Sequence, residues 1–194
     1  YYRRLQYQAY DITSLLHGGN NVFGIILGDG WWRGSNGALS LKNNFGYKVA
    51  FMGQLVLTYE DGSQEIIGSD ESFKTSYGPI LKSDLKAGEV YDARKECNGW
   101  NKPEFDDSSW KYVNTAEDKL DHLISTSGVP VKRMERFSPV VLKTPNGQTV
   151  LDFGQNISGQ VEMKVRGPKG TEVVLIHGET LDKNGNFTLK NLEF

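Results

Sequence analysis

The chain has 194 residues, of which 38% are hydrophobic and 24% are charged, and its formal net charge at pH 7 is -2. This composition is ordinary for a globular protein with its own core, and so small a charge gives no electrostatic reason to expect nucleic acid or an acidic membrane as a partner. The sequence contains no run of about 18 apolar residues, the length that spans a bilayer. Cys97 is the only cysteine, so no internal disulfide can form and cysteine usage indicates no compartment.

The first third of the chain carries the patterns of short β-strands. RRLQYQAY, residues 3–10, alternates polar and apolar side chains with the period of a strand. DITSLL, residues 11–16, is long enough for a helical turn or two. NVFGIILG, residues 21–28, is a short apolar run of the kind that a buried strand shows. Residues 47–67 are predicted to be two strands joined at Glu60-Asp61-Gly62, because an Asp-Gly pair between such segments is a hairpin signal.

Alternating segments return in the last third of the chain, separated by turn residues. The segments QTVLDFG, GQVEMKVRG and TEVVLIHGE are each predicted to be strands. The turn signals that bound them are Pro145-Asn146-Gly147, Gly167-Pro168-Lys169-Gly170 and Lys183-Asn184-Gly185. Many short strands with regular turns predict an all-β fold of the sandwich or barrel type.

A domain boundary is predicted within residues 115–136, a polar stretch that breaks the strand rhythm. Part of it, AEDKLDHLI, invites a helical interpretation. The predicted domains are residues 1–132 and residues 133–194. The second carries about five strand candidates, few for a closed sandwich, and is therefore expected to be an incomplete β-sandwich domain.

The sequence offers no recognisable catalytic site. Its three histidines, His17, His122 and His177, lack the His-Glu-x-x-His spacing of a metal site. A Gly-x-Ser-x-Gly motif, which would hold a nucleophilic serine, is also missing. The adjacent acids Asp106 and Asp107 are interpreted as turn residues, a role that aspartate favours.

The loop GDGWWRGSNG, residues 28–37, combines four glycines with two adjacent tryptophans. In an extended segment Trp31 and Trp32 would point to opposite faces. We predict that Trp31 folds back over the core and that Trp32 points outward beside Arg33. The outer tryptophan then has two alternative roles, either bracing the domain against a neighbouring one or stacking on a sugar ring. Groups that could bind sugar hydroxyls nearby are Asp29, Arg33, Ser35 and Asn36.

DFGQN, residues 152–156, also has two interpretations. In the structural one, Phe153 enters the core, Gly154 permits a tight bend, and the two amide side chains bond to exposed backbone groups. In the functional one, the motif is a polar contact with a neighbouring catalytic domain or its substrate.

Three stretches together resemble bacterial α-L-rhamnosidases. Residues 5–34, from LQYQAYDITSLL to GDGWWRG, and residues 88–110, GEVYDARKECNGWNKPEFDDSSW, resemble the N-terminal accessory domain of that family. Residues 152–192, which begin with DFGQN, resemble the start of the β-sandwich domain that follows it. Trp32 stands where the family often has tyrosine, an exchange between two large aromatic residues.

The resemblance implies a jelly-roll, galactose-binding-like β-sandwich followed by part of a second β-sandwich. It implies a parent glycoside hydrolase that removes terminal α-L-rhamnose from glycans, with its catalytic acids in a helical barrel outside these residues. The implied partners are a rhamnose-containing glycan and the catalytic domain of the same chain, with no nucleic acid and no membrane. It also implies a periplasmic or extracellular location. The alternatives are the sugar-binding module of another glycosidase, such as a β-galactosidase-like enzyme, or a free-standing lectin-like module.

The resemblance further implies a sugar site in the accessory domain, since some members bind rhamnose through a calcium ion. Calcium takes roughly six to eight oxygen ligands, and no other cofactor is expected. The candidate sugar-binding residues are Trp31, Trp32, Arg33 and Asn36. The candidate calcium ligands are Asp29, Asn36, Glu89 and Asp92.

Overall fold

A computed structural model of the chain describes residues 3–36, 39–117 and 120–192. The chain divides into two compact units, Tyr1–Gly128 and Val129–Phe194. Strands predominate in both, and the longest helix of the described part is the four-residue α1, Gly30–Arg33. The all-β prediction is confirmed. The domain boundary that the sequence places after residue 132 stays a prediction.

The first unit contains eight strands within its described residues, and each pairs with one other strand. They are β1 (Leu5–Tyr7), β2 (Gln54–Thr58), β3 (Gln64–Gly68), β4 (Lys74–Thr75), β5 (Ile80–Asp84), β6 (Gly88–Tyr91), β7 (Lys111–Tyr112) and β8 (Leu123–Ser125). The pair β1–β8 is parallel, with Leu5 opposite Leu123, and joins the beginning of the unit to its end. The pairs β2–β3, β4–β7 and β5–β6 are antiparallel.

The hairpin predicted at Asp61-Gly62 is present as β2–β3. Gly62 has φ +82, a conformation that glycine adopts at little cost. The Tyr59 amide donates to the Ser63 carbonyl oxygen at 2.9 Å and closes the turn. Leu55 and Leu57 of β2 are half-buried between exposed neighbours, the alternation in burial that a strand with one covered face shows.

The hairpin β5–β6 carries the contact on which the candidate site depends. Its strands are in register except at Leu81, an extra residue that forms a β-bulge. Its turn runs from Asp84 to Gly88, and the Asp84 carboxylate lies at the end of β5. The Ser83 carbonyl oxygen accepts a hydrogen bond from the Asp29 amide at 3.1 Å, which attaches the beginning of the tryptophan loop to this hairpin.

The predicted strand at residues 21–28 is absent from the structure. Its side chains make the contacts instead: the ring of Phe23 lies edge-on to Phe51 and Phe73, with centroids 5.9 and 6.3 Å apart. A Cβ built on Gly24 would lie 2.4 Å from the Trp100 ring, so the backbone approaches that indole closely. The prediction of a buried strand was wrong in both parts: no backbone partner pairs with this run, and all its residues except Ile25 are exposed.

Helical structure is brief where the sequence suggested it. In the first interpreted segment, Thr13–Leu15 forms a single 3-10 turn. Of AEDKLDHLI, residues 118 and 119 lie outside the described residues, and Leu123 already begins β8, so the helical interpretation fails at this end. Within the described ranges, no helix has the length and apolarity needed to cross a membrane.

The second unit holds two hairpins in its described residues. The strands are β9 (Val140–Lys143), β10 (Thr149–Asp152), β11 (Thr180–Leu181) and β12 (Phe187–Thr188). Strands β9 and β10 pair around the predicted turn at Gly147, which has φ +84, and β11 and β12 pair around Gly185, which has φ +79. The other two predicted strands, at residues 159–167 and 171–179, are absent. Alternation alone did not identify a partner for either.

The DFGQN motif ends β10 in a tight bend. Gly154 has φ +74 and its amide donates to the Asp152 carboxylate at 2.8 Å, while Phe153 is half-buried. The side-chain Nδ2 of Asn156 donates to the carboxylate of Glu179 at 3.3 Å rather than to a backbone carbonyl oxygen. The bend agrees with the structural interpretation of the motif, and a contact with another domain stays a prediction.

The buried side chains of the described residues are polar. In the first unit they are Ser35, Asn36 and Asp84, which are 7%, 9% and 8% exposed, and in the second unit Thr144. No apolar side chain in the described part is as enclosed. Buried polar groups must be hydrogen-bonded to be stable, so the contact between the tryptophan loop and β5 is a polar one.

Candidate functional site

Residues 30–33 form one helical turn and not the extended segment assumed from the sequence. Gly30 enters it with φ +52. The Arg33 amide donates to the Asp29 carbonyl oxygen at 3.2 Å, and the Arg33 Nε lies 2.7 Å from Asp29 Oδ1. Successive side chains of a helical turn diverge by about 100° instead of 180°. The two tryptophans therefore do not occupy opposite faces of a strand.

Trp32 is the tryptophan that binds to the rest of its own unit. Its indole Nε1 donates to the Lys48 carbonyl oxygen at 2.7 Å. A Cβ built on Gly46 would lie 2.4 Å from the Trp32 ring, so the indole lies directly on the backbone of that glycine. The Trp32 carbonyl oxygen also accepts from the Phe45 amide at 3.3 Å. Trp32 thus connects the tryptophan loop to residues 45–48 through two hydrogen bonds and the contact with Gly46.

Trp31 is the exposed tryptophan, with 58% of its surface accessible. The prediction that Trp31 packs inward and Trp32 outward was wrong. The reason is the helical turn, which directs the second indole toward Gly46, where the missing side chain leaves room for it. The aromatic face available to a ligand in this loop is that of Trp31.

Asn36 carries an unsatisfied buried acceptor. Its Nδ2 donates to the Trp31 carbonyl oxygen at 2.7 Å, and its backbone exchanges two hydrogen bonds with Leu41 at 2.9 and 3.1 Å. Its Oδ1 is buried and has no hydrogen-bond partner among the described residues. Leaving such an acceptor unpaired costs about 1–3 kcal/mol.

Asp84 was not identified from the sequence, although it holds the loop. Its Oδ2 accepts from the backbone amide and the hydroxyl of Ser35 at 2.9 and 2.8 Å. Its Oδ1 accepts from the amides of Lys86 and Ala87 at 2.9 and 2.8 Å. The hydrogen bond from Ala87, followed by those from Ser35 and Lys86, holds the pKa of Asp84 well below its usual range despite burial. An aspartate before a turn predicts hydrogen bonds to the amides of that turn, here Lys86 and Ala87. Nothing in the sequence predicts that the same carboxylate also binds Ser35.

The four predicted calcium ligands do not form one acidic cluster. Asp29 is paired with Arg33, and both carboxylate oxygens of Asp92 accept from Arg94 at 2.7 Å, which lowers the pKa of Asp92 to about 2. Glu89 lies on β6 and pairs in register with Ser83. Over the described ranges, no three His, Cys, Asp or Glu side chains are grouped closely enough to hold a metal ion.

Comparison with known proteins identifies the family. The model of the α-L-rhamnosidase N-terminal domain matches residues 1–135, and that of the bacterial α-L-rhamnosidase concanavalin-like domain matches residues 142–194. The chain belongs to the α-L-rhamnosidase N-terminal domain family. The resemblance inferred from the three sequence stretches is thereby confirmed.

Curated relatives agree with this family assignment. An α-L-rhamnosidase from Streptomyces avermitilis is 37% identical over 99% of this chain, and one from Formosa agariphila is 34% identical over 95%. The chain spans only 19% and 20% of the length of these two proteins.

Solved structures show the same correspondence in three dimensions. The Streptomyces avermitilis α-L-rhamnosidase, crystallised with L-rhamnose, matches 98% of this chain with 35% identity and a TM-score of 0.85, over 19% of its own length. The Aspergillus terreus enzyme matches 99% with 32% identity and a TM-score of 0.80, over 22% of its length. These rhamnosidase structures are consistent with the all-β sandwich of this chain.

The two tryptophans are expected to differ in their contribution to stability. Trp32→Ala should lower the free energy of unfolding by at least about 2 kcal/mol, somewhat less than the loss of a fully buried aromatic because the indole is half-buried. Trp31→Ala should change it by no more than about 0.5 kcal/mol, as for an exposed side chain. Urea titrations followed by circular dichroism measure both values. The assignment of the two faces is wrong if Trp31→Ala is the more destabilising change.

Acid should weaken the contact between the loop and β5. Because the pKa of Asp84 is lower in the folded chain than the unfolded value of about 3.9, its contribution to stability is complete above that value and disappears as the pH falls below it. Asp84→Asn should therefore flatten the decline in unfolding free energy between about pH 5 and pH 2. Urea midpoints measured across this range test the effect, and parallel curves for the two proteins would contradict it.

Proposed function

We propose that the chain is a non-catalytic accessory region of an α-L-rhamnosidase, a glycoside hydrolase that removes terminal α-L-rhamnose from glycans, and that its first unit binds the sugar. The family match supports the enzyme class. The relatives to which the chain is similar are about five times longer, which leaves room for catalysis outside these residues. The rhamnose-containing glycan and the catalytic domain of the same chain are the proposed partners.

One observation carries the sugar-binding role: the exposed Trp31 is tied through its backbone carbonyl to Asn36, whose side-chain oxygen is buried without a donor. Trp31 offers an aromatic face, on which the C–H side of a sugar ring can stack. Asn36 Oδ1 is buried without a donor, and a sugar hydroxyl could supply one once the ligand displaces the groups that cover this oxygen. The Asn36 side chain is bonded to the Trp31 carbonyl oxygen, so the backbone of Trp31 and the side chain of Asn36 are held together. Stacking combined with a few fixed polar groups is the usual composition of a small-molecule site.

Both roles left open for the outer tryptophan, bracing against a neighbouring domain and stacking on a sugar, fall to Trp31 because Trp31 is the exposed one. Trp32 is fixed to Lys48 and Gly46 of its own unit, so it braces the loop from within. Arg33 is engaged with Asp29 in an ion pair and is 41% exposed at its side chain. It remains a candidate sugar contact because its guanidinium has further N–H donors. Trp31, Arg33 and Asn36 are therefore the proposed sugar-binding residues.

A calcium ion is proposed at Asn36, the member of the predicted ligand set with an unpaired oxygen, and the rest of its roughly six to eight oxygen ligands would have to come from sugar hydroxyls, water and backbone carbonyls. The buried Asn36 Oδ1 is an oxygen of the type that calcium prefers. Asp29 and Asp92 are held by arginines and would have to leave those ion pairs to bind a cation. When bound, calcium would supply electrostatic attraction for the vicinal hydroxyls of a sugar.

L-Rhamnose should bind to the chain through Trp31. In titration calorimetry with calcium present, Trp31→Ala should raise the dissociation constant at least about tenfold, because a lost stacking contact of about 1.4 kcal/mol corresponds to that factor. Asn36→Ala should have a comparable effect. L-Fucose, a deoxyhexose with different hydroxyl configuration, is the control sugar and should bind more weakly.

The same titration separates the proposals about the sugar and the cation. Adding EDTA should weaken L-rhamnose binding, and restoring calcium should recover it, whereas magnesium should not because it demands a smaller octahedral site. Equal affinity with EDTA would exclude the calcium proposal and leave the sugar proposal standing. Absence of L-rhamnose binding under both conditions would exclude the sugar site.

The chain by itself should not hydrolyse an aryl α-L-rhamnoside. Inverting hydrolysis needs a carboxylic acid and a carboxylate about 6.5–9.5 Å apart across the scissile bond, and no such pair is recognisable in this sequence. Prolonged incubation with the chromogenic substrate should release no more chromophore than buffer does. Turnover abolished by a single acidic substitution in this chain would refute the non-catalytic assignment.

A further inference from the structure

We propose that Asp84 is a positioning residue for the sugar site, which holds residues 34–36 of the tryptophan loop and, through Asn36, the backbone of the exposed Trp31. The inference rests on the proposed sugar-binding function. It concerns a residue that does not itself touch the ligand. Three features of the structure support it.

The first feature is the distribution of the bonds that Asp84 accepts. One carboxylate oxygen binds the turn of its own hairpin, through the amides of Lys86 and Ala87. The other binds the backbone amide and hydroxyl of Ser35, 49 residues away in the chain. Hydrogen bonds to an ionised acceptor are about twice as strong as neutral ones. One anion thus fixes two separate segments to each other.

The second feature is the tight contact around Gly34. A Cβ built on Gly34 would lie 2.2 Å from the Gly30 carbonyl oxygen and 3.4 Å from the Asp84 carboxyl carbon. A side chain at this position would collide with the Gly30 carbonyl oxygen, so glycine allows the chain to leave the helical turn in the direction of Asp84. Ser35 follows directly and presents both its amide and its hydroxyl to the same oxygen.

The third feature is the continuity from the carboxylate to the proposed sugar-binding residues. Ser35 is bonded to Asp84, the next residue is Asn36, and the Asn36 side chain donates to the Trp31 carbonyl oxygen. Ser35, Asn36 and Asp84 are also the buried side chains of the first unit's described residues. Releasing Ser35 would free both the orphaned acceptor and the backbone of the exposed indole.

A matched control exists elsewhere in the same unit. Asp61 also accepts from the amide and the hydroxyl of a serine, Ser63, at 2.9 and 2.6 Å. That serine is only two residues away, and the bonds lie in the exposed β2–β3 turn. Asp61→Asn therefore changes the same chemical contact without touching the loop.

The experiment compares the whole chain with its Asp84→Asn, Ser35→Ala and Asp61→Asn variants. Calorimetry with L-rhamnose and calcium measures affinity, and two-dimensional amide NMR monitors the Trp31 indole, the Asn36 side-chain amide and the β2–β3 hairpin. Asp84→Asn should weaken binding at least about tenfold, since an amide cannot accept all the bonds of a carboxylate. Ser35→Ala, which loses one of the bonds, should weaken it about fivefold. Asp61→Asn should leave the affinity unchanged.

The NMR arm distinguishes positioning from a general loss of structure. In Asp84→Asn and Ser35→Ala, the Trp31 indole and Asn36 side-chain signals should shift while the β2–β3 signals remain. If Asp84→Asn does not fold, Ser35→Ala decides the question, because it retains the carboxylate and its bonds to the turn.

The possible failures are distinguishable. If the wild-type chain binds L-rhamnose and the Asp84→Asn and Ser35→Ala variants bind it equally well, the role of Asp84 is overturned and the sugar site stands. Absence of wild-type binding would overturn the sugar site. It would also overturn the role of Asp84 in positioning that site, and the NMR signals would then show only whether Asp84 orders the loop.

Discussion

The hydrogen bonds between Asp84 and Ser35 are the contact on which the arrangement of the tryptophan loop depends. A loop rich in glycine loses much conformational entropy when it becomes ordered, and a turn of four helical residues cannot offset that loss by itself. A buried carboxylate, however, must have its acceptors satisfied. The amide and hydroxyl of Ser35 satisfy one oxygen of Asp84, and the same two hydrogen bonds hold the loop in position. Acid and substitution at Asp84 act on the same contact, so stability and ligand presentation are coupled there.

The fixed position of the loop gives its two tryptophans separate roles. Trp32 lies on the backbone of Gly46 and bonds to Lys48, so its apolar surface and its donor are both used within the unit. Trp31 remains 58% exposed, and its backbone is bonded to the side chain of Asn36. The exposed ring leaves apolar surface in contact with water, which a ligand could cover. A ligand that also donates to the buried Asn36 oxygen would satisfy both groups.

In the second unit a carboxylate again joins segments that are separate in the chain. Glu179 accepts from the side-chain amides of Asn156, in the DFGQN motif, and Asn191, near the end of the described residues. The bend at Gly154 brings Asn156 toward that carboxylate. Because these hydrogen bonds lie at an exposed position, they orient the segments more than they stabilise them. The motif therefore has a structural role inside its own unit, whatever it contacts beyond it.

The sequence by itself determined the fold class, the family and the local turns. Strand alternation and the turns at Gly62, Gly147 and Gly185 depend on neighbouring residues, so the local sequence is sufficient to predict them. Only the tertiary structure decided that residues 21–28 form no strand. It also decided that Trp31 is exposed and Trp32 is not, and that Asp84 binds Ser35. Each of these outcomes depends on partners distant in sequence. Periodicity reports which side chains favour burial, but it carries no information about which distant backbone or carboxylate will meet them.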